Sequence, residues 1–380
     1  MVDGVVSAGR IARIRRAMAE ANLDALYLRT TTNIAWATGF VGVFDEEQAH
    51  ALLIAKDLAW LHTDSRYVVA LSACASGTEI QVSTEQGGHS ACALEVLRST
   101  SHAPFSHLSV GIEDTMSLRE FRALEGVLAK SKARIDLVET SGIVENLRSI
   151  KDSVEVSFIR RAQEITDAGF SHICSFMKAG MTERQVQLEL DRFMMAQGAE
   201  GLAFPTIVAT GAHAASPHAQ PDDTVLTKGD AVVMDFGARY HGYCSDMTRT
   251  VFVGEPSDEL KKAWETLRQA NEECEALVSE GVTASRVHAH AEKVLARGGF
   301  AHCMGHALGH SVGLDIHETP TFSPRNDEPL NAGVVITVEP GIYVEGSFGM
   351  RLEDFGVVTE DGFDVLTHST HEMVIIGDCD

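Results

Sequence analysis

AVVMDFGARYHGYCSDMTRTVFV, residues 231–253, decides how the rest of this chain reads. Its halves, AVVMDFGARY and YCSDMTRTVFV, flank His241-Gly242, a dipeptide suited to a two-residue hairpin turn. In that register Tyr240 pairs with Tyr243 and Asp235 with Thr248, so Asp246 lies one diagonal step from Asp235 on the same face. Side chains alternate with period two, and a slip of one residue would separate the two carboxylates. An edge hairpin facing water is the plainer alternative. AVVMDF and RTVFV carry too many bulky apolar residues for it. Cys244 shares the face by parity, but such a cysteine is more often a small packed side chain, and it stays outside the ligand set.

A second unit of the same kind is VVITVEPGIYVEGSFGMRLEDFGVV, residues 334–358. Glu339 and Glu353 are an even number of positions apart, so a hairpin centred near Glu345–Phe348 presents both on one face. Gly341, Gly346 and Gly349 supply the turns. Two hairpins with two carboxylates each make a pseudo-symmetric cradle. Asp235, Asp246, Glu339 and Glu353, with His310 of GHSVG, form an oxygen-rich set suited to manganese, cobalt or zinc. Four negative charges also balance two divalent cations, which favours a dinuclear site.

Around His310, the histidines 302, 306, 310 and 317 begin at a spacing of four, as on a helix, but Gly305, Gly309 and Gly313 weaken that reading. Gly313 is expected to mark a bend between His310 and His317. H-E-x-x-H is absent. GHSVG also fits the serine nucleophile motif G-x-S-x-G, and Asp354 and His371 follow in the matching order. That motif needs a helix after the serine, and LDIHETP is cut short by Pro320.

The formal net charge of -23 repels phosphate backbones and anionic membranes, so neither nucleic acid nor membrane is an expected partner. Seven scattered cysteines without a C-x-x-C pair fit a reducing compartment. With no apolar signal core in MVDGVVSAGRIARIRRAM and no run of 18 apolar residues, a cytoplasmic location is expected.

Upstream, the patterns predict a helix over 8–22, strands at 25–29, 51–55, 59–63 and 108–112, and helices at 92–99 and 117–130. This is one α/β unit without a ligand cluster. Composition shifts near 141–152. Helices are then predicted over 153–178, 182–196, 257–280 and 284–296, with Thr182 and Gln185 matching a capping box.

The chain resembles the pita-bread metallopeptidases, and among them the Xaa-Pro peptidases, prolidase and aminopeptidase P. The resemblance rests on ENLRSIKDSVEVSFIRRA, FPTIVATGAHAASPHAQP, MDFGARYHGYCSDMTRT, GHSVGLDIHE, ITVEPGIY and GMRLED, and it spans essentially the whole chain. It implies an α+β fold: a creatinase-like α/β N-terminal domain over 1–143 and a pseudo-symmetric pita-bread catalytic domain over 144–380. Asp235, Asp246, His310, Glu339 and Glu353 would bind two divalent metal ions, manganese before cobalt or zinc, with Asp246 and Glu353 bridging. Glu339 would double as general base. His218 would contact the scissile amide or protonate the leaving nitrogen. His306 and His317 would position a peptide substrate and stabilise the tetrahedral intermediate. Arg351 would anchor the site from behind the metals. A homodimer is expected on the same ground. Ser311 stands where the family often has glycine, and His213 where it often has asparagine.

Two rival functions share this scaffold. One is a metal-dependent lyase or non-peptide amide hydrolase. The creatinase type lacks the metal ligands, and all five are present here. The other is a binding protein that kept the fold and lost catalysis, although such relatives usually lose ligands.

Overall fold

The computed structural model describes residues 4–45, 47–100, 107–130 and 134–377. The start of the amphipathic N-terminal stretch and Cys379 therefore lie outside the described residues. The chain divides into two compact units, Met1–Arg148 and Ser149–Asp380.

The first unit is built on one mixed sheet. Its strands are β1 (Ala25–Leu28), β2 (Ala51–Ala55), β3 (Leu58–His62), β4 (Ile80–Ser83), β5 (Leu108–Glu113) and β6 (Ile135–Thr140), in the order β4-β3-β2-β1-β5-β6. Every residue of β1 and β2 is buried, as central strands covered on both faces require. The predicted strands at 25–29, 51–55, 59–63 and 108–112 are present. β4 and β6, which the patterns did not predict, are only partly buried; IQVS alternates over just four residues, and IDLVET loses its alternation at Val138.

In the second unit, the helix Ser153–Phe176 opens on Asp152, whose side chain accepts from the Val154 and Glu155 amides. The helix Glu183–Ala196 opens on the expected Thr182–Gln185 capping box, an arrangement worth roughly 1 kcal/mol. The later pair runs Asp258–Glu275 and Ala284–Gly298. The first of these stops short of the predicted 280, and Gly281 at φ +82° turns the chain toward the second.

The strands follow as β7 (Gly201–Leu202), β8 (Ile207–Thr210), β9 (Ala231–Phe236), β10 (Ala238–Tyr240), β11 (Tyr243–Cys244), β12 (Met247–Val253), β13 (His310–Ser311), β14 (Glu318–Thr321), β15 (Val335–Val338), β16 (Gly341–Val344), β17 (Phe348–Arg351), β18 (Asp354–Val358), β19 (Phe363–Val365) and β20 (Ile375–Ile376). They form sheets ordered β20-β12-β9-β8, β11-β10-β7, β14-β13-β15-β18-β19 and β16-β17.

Period-two alternation sorts both hairpins into a packed face and a polar face. Val232, Met234 and Phe236 of β9, with Met247, Val251 and Val253 of β12, pack with Ile165, Phe170, Leu190 and Met194 of the first helix pair. Ile336, Val338, Ile342, Met350 and Leu352 pack with Trp264, Leu267, Val287 and Leu295 of the second pair. Each such fully buried side chain contributes roughly 1.5–3 kcal/mol. The residues between them, Asp235, Thr248, Glu339, Arg351 and Glu353, turn to the opposite face. The two halves thus repeat one plan, a helix pair backing an antiparallel hairpin.

The first hairpin keeps one register throughout, with Asp235 opposite Thr248 and Tyr240 opposite Tyr243. It is nevertheless split at Gly237, where a Cβ would lie 2.0 Å from the Ser245 carbonyl oxygen. The second hairpin also keeps one register, with Val338 opposite Asp354 and Gly341 opposite Arg351, and it breaks at Glu339-Pro340 and Leu352-Glu353. Its turn is Glu345–Ser347, with Gly346 at φ +71°. No helix forms over 301–309, so the histidine spacing there is not a helical stripe.

Candidate metal centre

The four carboxylates sit at or beside these breaks. Asp235 is the penultimate residue of β9, Asp246 lies between β11 and β12, Glu339 between β15 and β16, and Glu353 between β17 and β18. His310 opens β13, its amide held at 3.0 Å by the Thr337 hydroxyl. The His310 Nδ1 faces the Ser311 carbonyl at 3.2 Å, which can only accept. Nδ1 therefore carries the proton and Nε2 offers its lone pair inward. That Nε2 lies 3.6 Å from Asp246 Oδ2 and 3.5 Å from Glu339 Oε1. Ligand atoms of Asp246, His310 and Glu353 all fall within 4.8 Å of one another.

Asp235 is tied from behind. Arg351 Nη2 donates to its Oδ2 at 2.6 Å, Arg351 Nε donates to Thr248 Oγ1 at 2.9 Å, and Arg351 Nη1 donates to the Tyr343 hydroxyl at 2.8 Å. His306 Nε2 stands 3.1 Å from the same hydroxyl. The Thr248 hydroxyl donates to Glu353 Oε2. Asp235 Oδ1, by contrast, is buried with no hydrogen-bond partner among the described residues.

Burial and crowding set the protonation of this cluster. Burial first, then repulsion from Glu353, Asp235 and Glu339, holds the Asp246 carboxyl well above the usual range. Glu353 is raised in the same way, by burial and then by Glu339 and Asp235. Burial pushes Glu339 up to about 8 against the pull of Arg351. Asp235 is also raised by burial, with Arg351 opposing. Burial lowers His310 and His306 to about 4, so both imidazoles are neutral near pH 7.

A cavity of about 390 Å³ opens over the cluster. All nine residues singled out in the sequence line it: His218, Asp235, Asp246, His306, His310, His317, Glu339, Arg351 and Glu353. The rings of His310 and His317 meet edge to face at 4.5 Å. Phe204, Pro205, Ile207, Pro217 and Ile316 give the cavity an apolar wall. Sequence reasoning did not single out Thr248 or Tyr343 as site residues. Parity held the signal, because Thr248 is the cross-strand partner of Asp235 and Tyr343 shares its face with Glu339.

The serine-nucleophile pattern does not assemble. Asp354 and His371 do pair at 2.7 Å, but Arg249 takes the other Asp354 oxygen at 2.6 Å. Ser311 is fully buried, donates to the Val335 carbonyl at 2.7 Å and accepts from Lys151. Cys244 is buried and directs its Sγ toward the Leu314 carbonyl.

The sequence profile of Metallopeptidase family M24 matches residues 157–360, and that of the Creatinase/Prolidase N-terminal domain matches residues 10–150. The chain belongs to metallopeptidase family M24 and carries the creatinase/prolidase N-terminal domain ahead of the catalytic one. An uncharacterised peptidase of Bacillus subtilis is 35% identical over 370 residues, 97% of this chain and 100% of that protein. A Xaa-Pro dipeptidase of Bacillus anthracis superposes with a TM-score of 0.89 at 36% identity, covering 97% of this chain and 99% of that one. An X-Pro aminopeptidase of Thermotoga maritima gives a TM-score of 0.82 at 34% identity, covering 95% and 100%. The creatinase-like and pita-bread architecture read from the sequence is the architecture found.

Proposed function

We propose that this chain hydrolyses peptide bonds that precede proline, using two divalent metal ions held by Asp235, Asp246, His310, Glu339 and Glu353. The observation that carries the reading is the convergence of four carboxylates and one inward imidazole lone pair on a single cavity. The buried Asp235 Oδ1, without a hydrogen-bond partner among the described residues, fits the group, since a cation supplies what no donor among them does. Manganese suits an oxygen-rich donor set with one imidazole, ahead of cobalt or zinc.

When bound, such an ion pair lowers the pKa of water far enough to provide hydroxide near neutral pH and polarises the scissile carbonyl. The chain's own groups do the rest. Glu339 accepts the remaining proton and passes it on as general base. His218, on the cavity wall, faces the leaving amide nitrogen. His317 steadies the developing oxyanion, a donor worth roughly 3 kcal/mol in the transition state, whereas His306 gives its one ring proton to the Ala307 carbonyl at 2.7 Å and serves to position the substrate. Arg351 keeps Asp235 oriented through its 2.6 Å bond. No serine or cysteine nucleophile is required.

Preference for proline comes from the similarity to Xaa-Pro peptidases, and the apolar wall from Phe204 to Ile316 is compatible with a pyrrolidine ring. A homodimer and a cytoplasmic site of action complete the proposal. Six described cysteines are free, and no helix among the described residues is long and apolar enough to cross a membrane. The test is hydrolysis of Ala-Pro against Ala-Pro-Ala with added manganese and an EDTA control. Cleavage of either peptide, abolished by EDTA, is expected. Cleavage of neither, beside turnover of small non-peptide amides, would transfer the chain to the rival reaction class.

A further inference from the structure

We propose that Lys151 and Glu318 are positioning residues for the two imidazoles, with Ser311 as their third member. The inference rests on the metal-site reading of His310 given above.

Lys151 Nζ is 3.0 Å from Glu318 Oε2 and 3.0 Å from Ser311 Oγ, and the two charged side chains are only 1% and 7% exposed. This ion pair is sealed from water, where a pair keeps its directionality and a lone charge is costly. Both ends are mounted on the site. Ser311 directly follows His310, and Glu318 directly follows His317. His310 pairs with Thr321 and Ser311 with Glu318, with a bulge between, so residues 312–317 form a loop closed by that short ladder.

The Glu318 carboxylate fills this loop. Its Oε1 accepts the Asp315 amide at 3.2 Å, and a Cβ on Gly313 would come within 2.5 Å of it. Glycine at 313 is thus the bend expected from sequence, and the carboxylate is the reason for it. Lys151 grips the carboxylate from the other side. Its backbone amide donates to the Gly333 carbonyl at 2.9 Å, and Ile150 bridges to Val334. The ammonium is therefore fixed to the start of β15, the strand that pairs with β13 and leads to Glu339. Ser311 completes the link by donating a hydrogen bond to the Val335 carbonyl at 2.7 Å. The hydroxyl gives this chain one more point of attachment beside His310.

The decisive variant is Lys151→Met with Glu318→Gln, which removes both charges of the pair together. The full chain is loaded with Co2+ and followed by its visible absorption, by titration of each Co2+ equivalent and by peptide turnover. The expected result is an altered Co2+ spectrum, one equivalent bound about tenfold or more weaker, and kcat down about tenfold with KM little changed. Ser311→Ala, which keeps the ion pair, should move spectrum and kcat in the same direction by about threefold. An unchanged spectrum, unchanged Co2+ affinities and unchanged kcat in the double variant would overturn the proposal. If that variant does not fold, the same null result in Ser311→Ala overturns it. A parent chain that binds Co2+ but cleaves no proline peptide would sink the substrate reading alone. A parent that binds none would sink the metal reading and this clamp together.

Discussion

Thr248 and Glu353 are joined twice: the Thr248 hydroxyl donates to Glu353 Oε2 at 2.7 Å, and the Glu353 amide donates to the Thr248 carbonyl at 3.1 Å. One residue belongs to each hairpin, and Thr248 also stands opposite Asp235. This pair is where the two acidic halves become one site.

Thr248→Val keeps the shape and removes the hydroxyl that donates to Glu353 and accepts from Arg351. Metal affinity and kcat should each fall by about tenfold. Asp246→Ala or Glu353→Ala removes one of the carboxylates proposed to hold metal, so metal and activity should disappear together, with turnover down by about three orders of magnitude. Metal analysis of the purified variants beside their turnover decides it, and full activity with a metal-free variant is the contrary outcome.

Protonation predicts how metal and stability are linked. Burial raises Glu339 from 4.5 to about 8, with Asp246 and Glu353 raised beside it. A carboxylate raised on folding holds its proton more tightly in the native state than in the unfolded one. Its stabilisation is present below 4.5 and is lost as pH climbs through 8. Bound cations displace those protons. The Tm gap between metal-loaded and EDTA-treated protein should therefore widen across that interval. Calorimetry at several pH values measures it, and a constant gap contradicts the shared burial of these groups.

Arg249 is fully buried and donates to the Glu353 carbonyl, to Asp354 and to the Ser369 carbonyl. Arg249→Met strips Asp354 of its buried counter-charge and should destabilise the chain by about 3–5 kcal/mol. Adding Asp354→Asn should restore much of that. Urea denaturation of the single and double variants gives the comparison.

Glu183 closes the loop that carries His218. Its carboxylate accepts the Thr210 amide at 2.8 Å, the Asp222 amide at 3.1 Å and His213 Nδ1 at 2.9 Å. His213→Ala removes a donor and should raise KM about threefold without changing metal content, a cost of the order of one hydrogen bond. His213→Asn keeps an N–H for the carboxylate and should lie closer to the parent. Steady-state kinetics on a proline peptide tests the order of the three proteins.

Much of the second unit was legible in the sequence because its hairpins obey parity. The pairs Asp235–Thr248 and Tyr240–Tyr243 follow from period two and a two-residue turn alone. The Thr182 cap was legible for a similar local reason. The strand breaks were not, because Gly237 is demanded by the Ser245 carbonyl it approaches, a contact only the fold creates. Lys151 and Glu318 were hidden for the same reason, standing far apart in sequence and paired only in space. β4 and β6 of the first unit were hard to read because they are only partly buried, IQVS alternating for just four residues and IDLVET losing its alternation at Val138.

The acidic pairs come from hairpins 105 positions apart at the Thr248–Glu353 contact. A growing chain that has made the first hairpin holds only half a cradle, with two carboxylates and nothing opposite them. Ion capture thus waits for the closing segment of synthesis, and a truncated or stalled product is left unarmed.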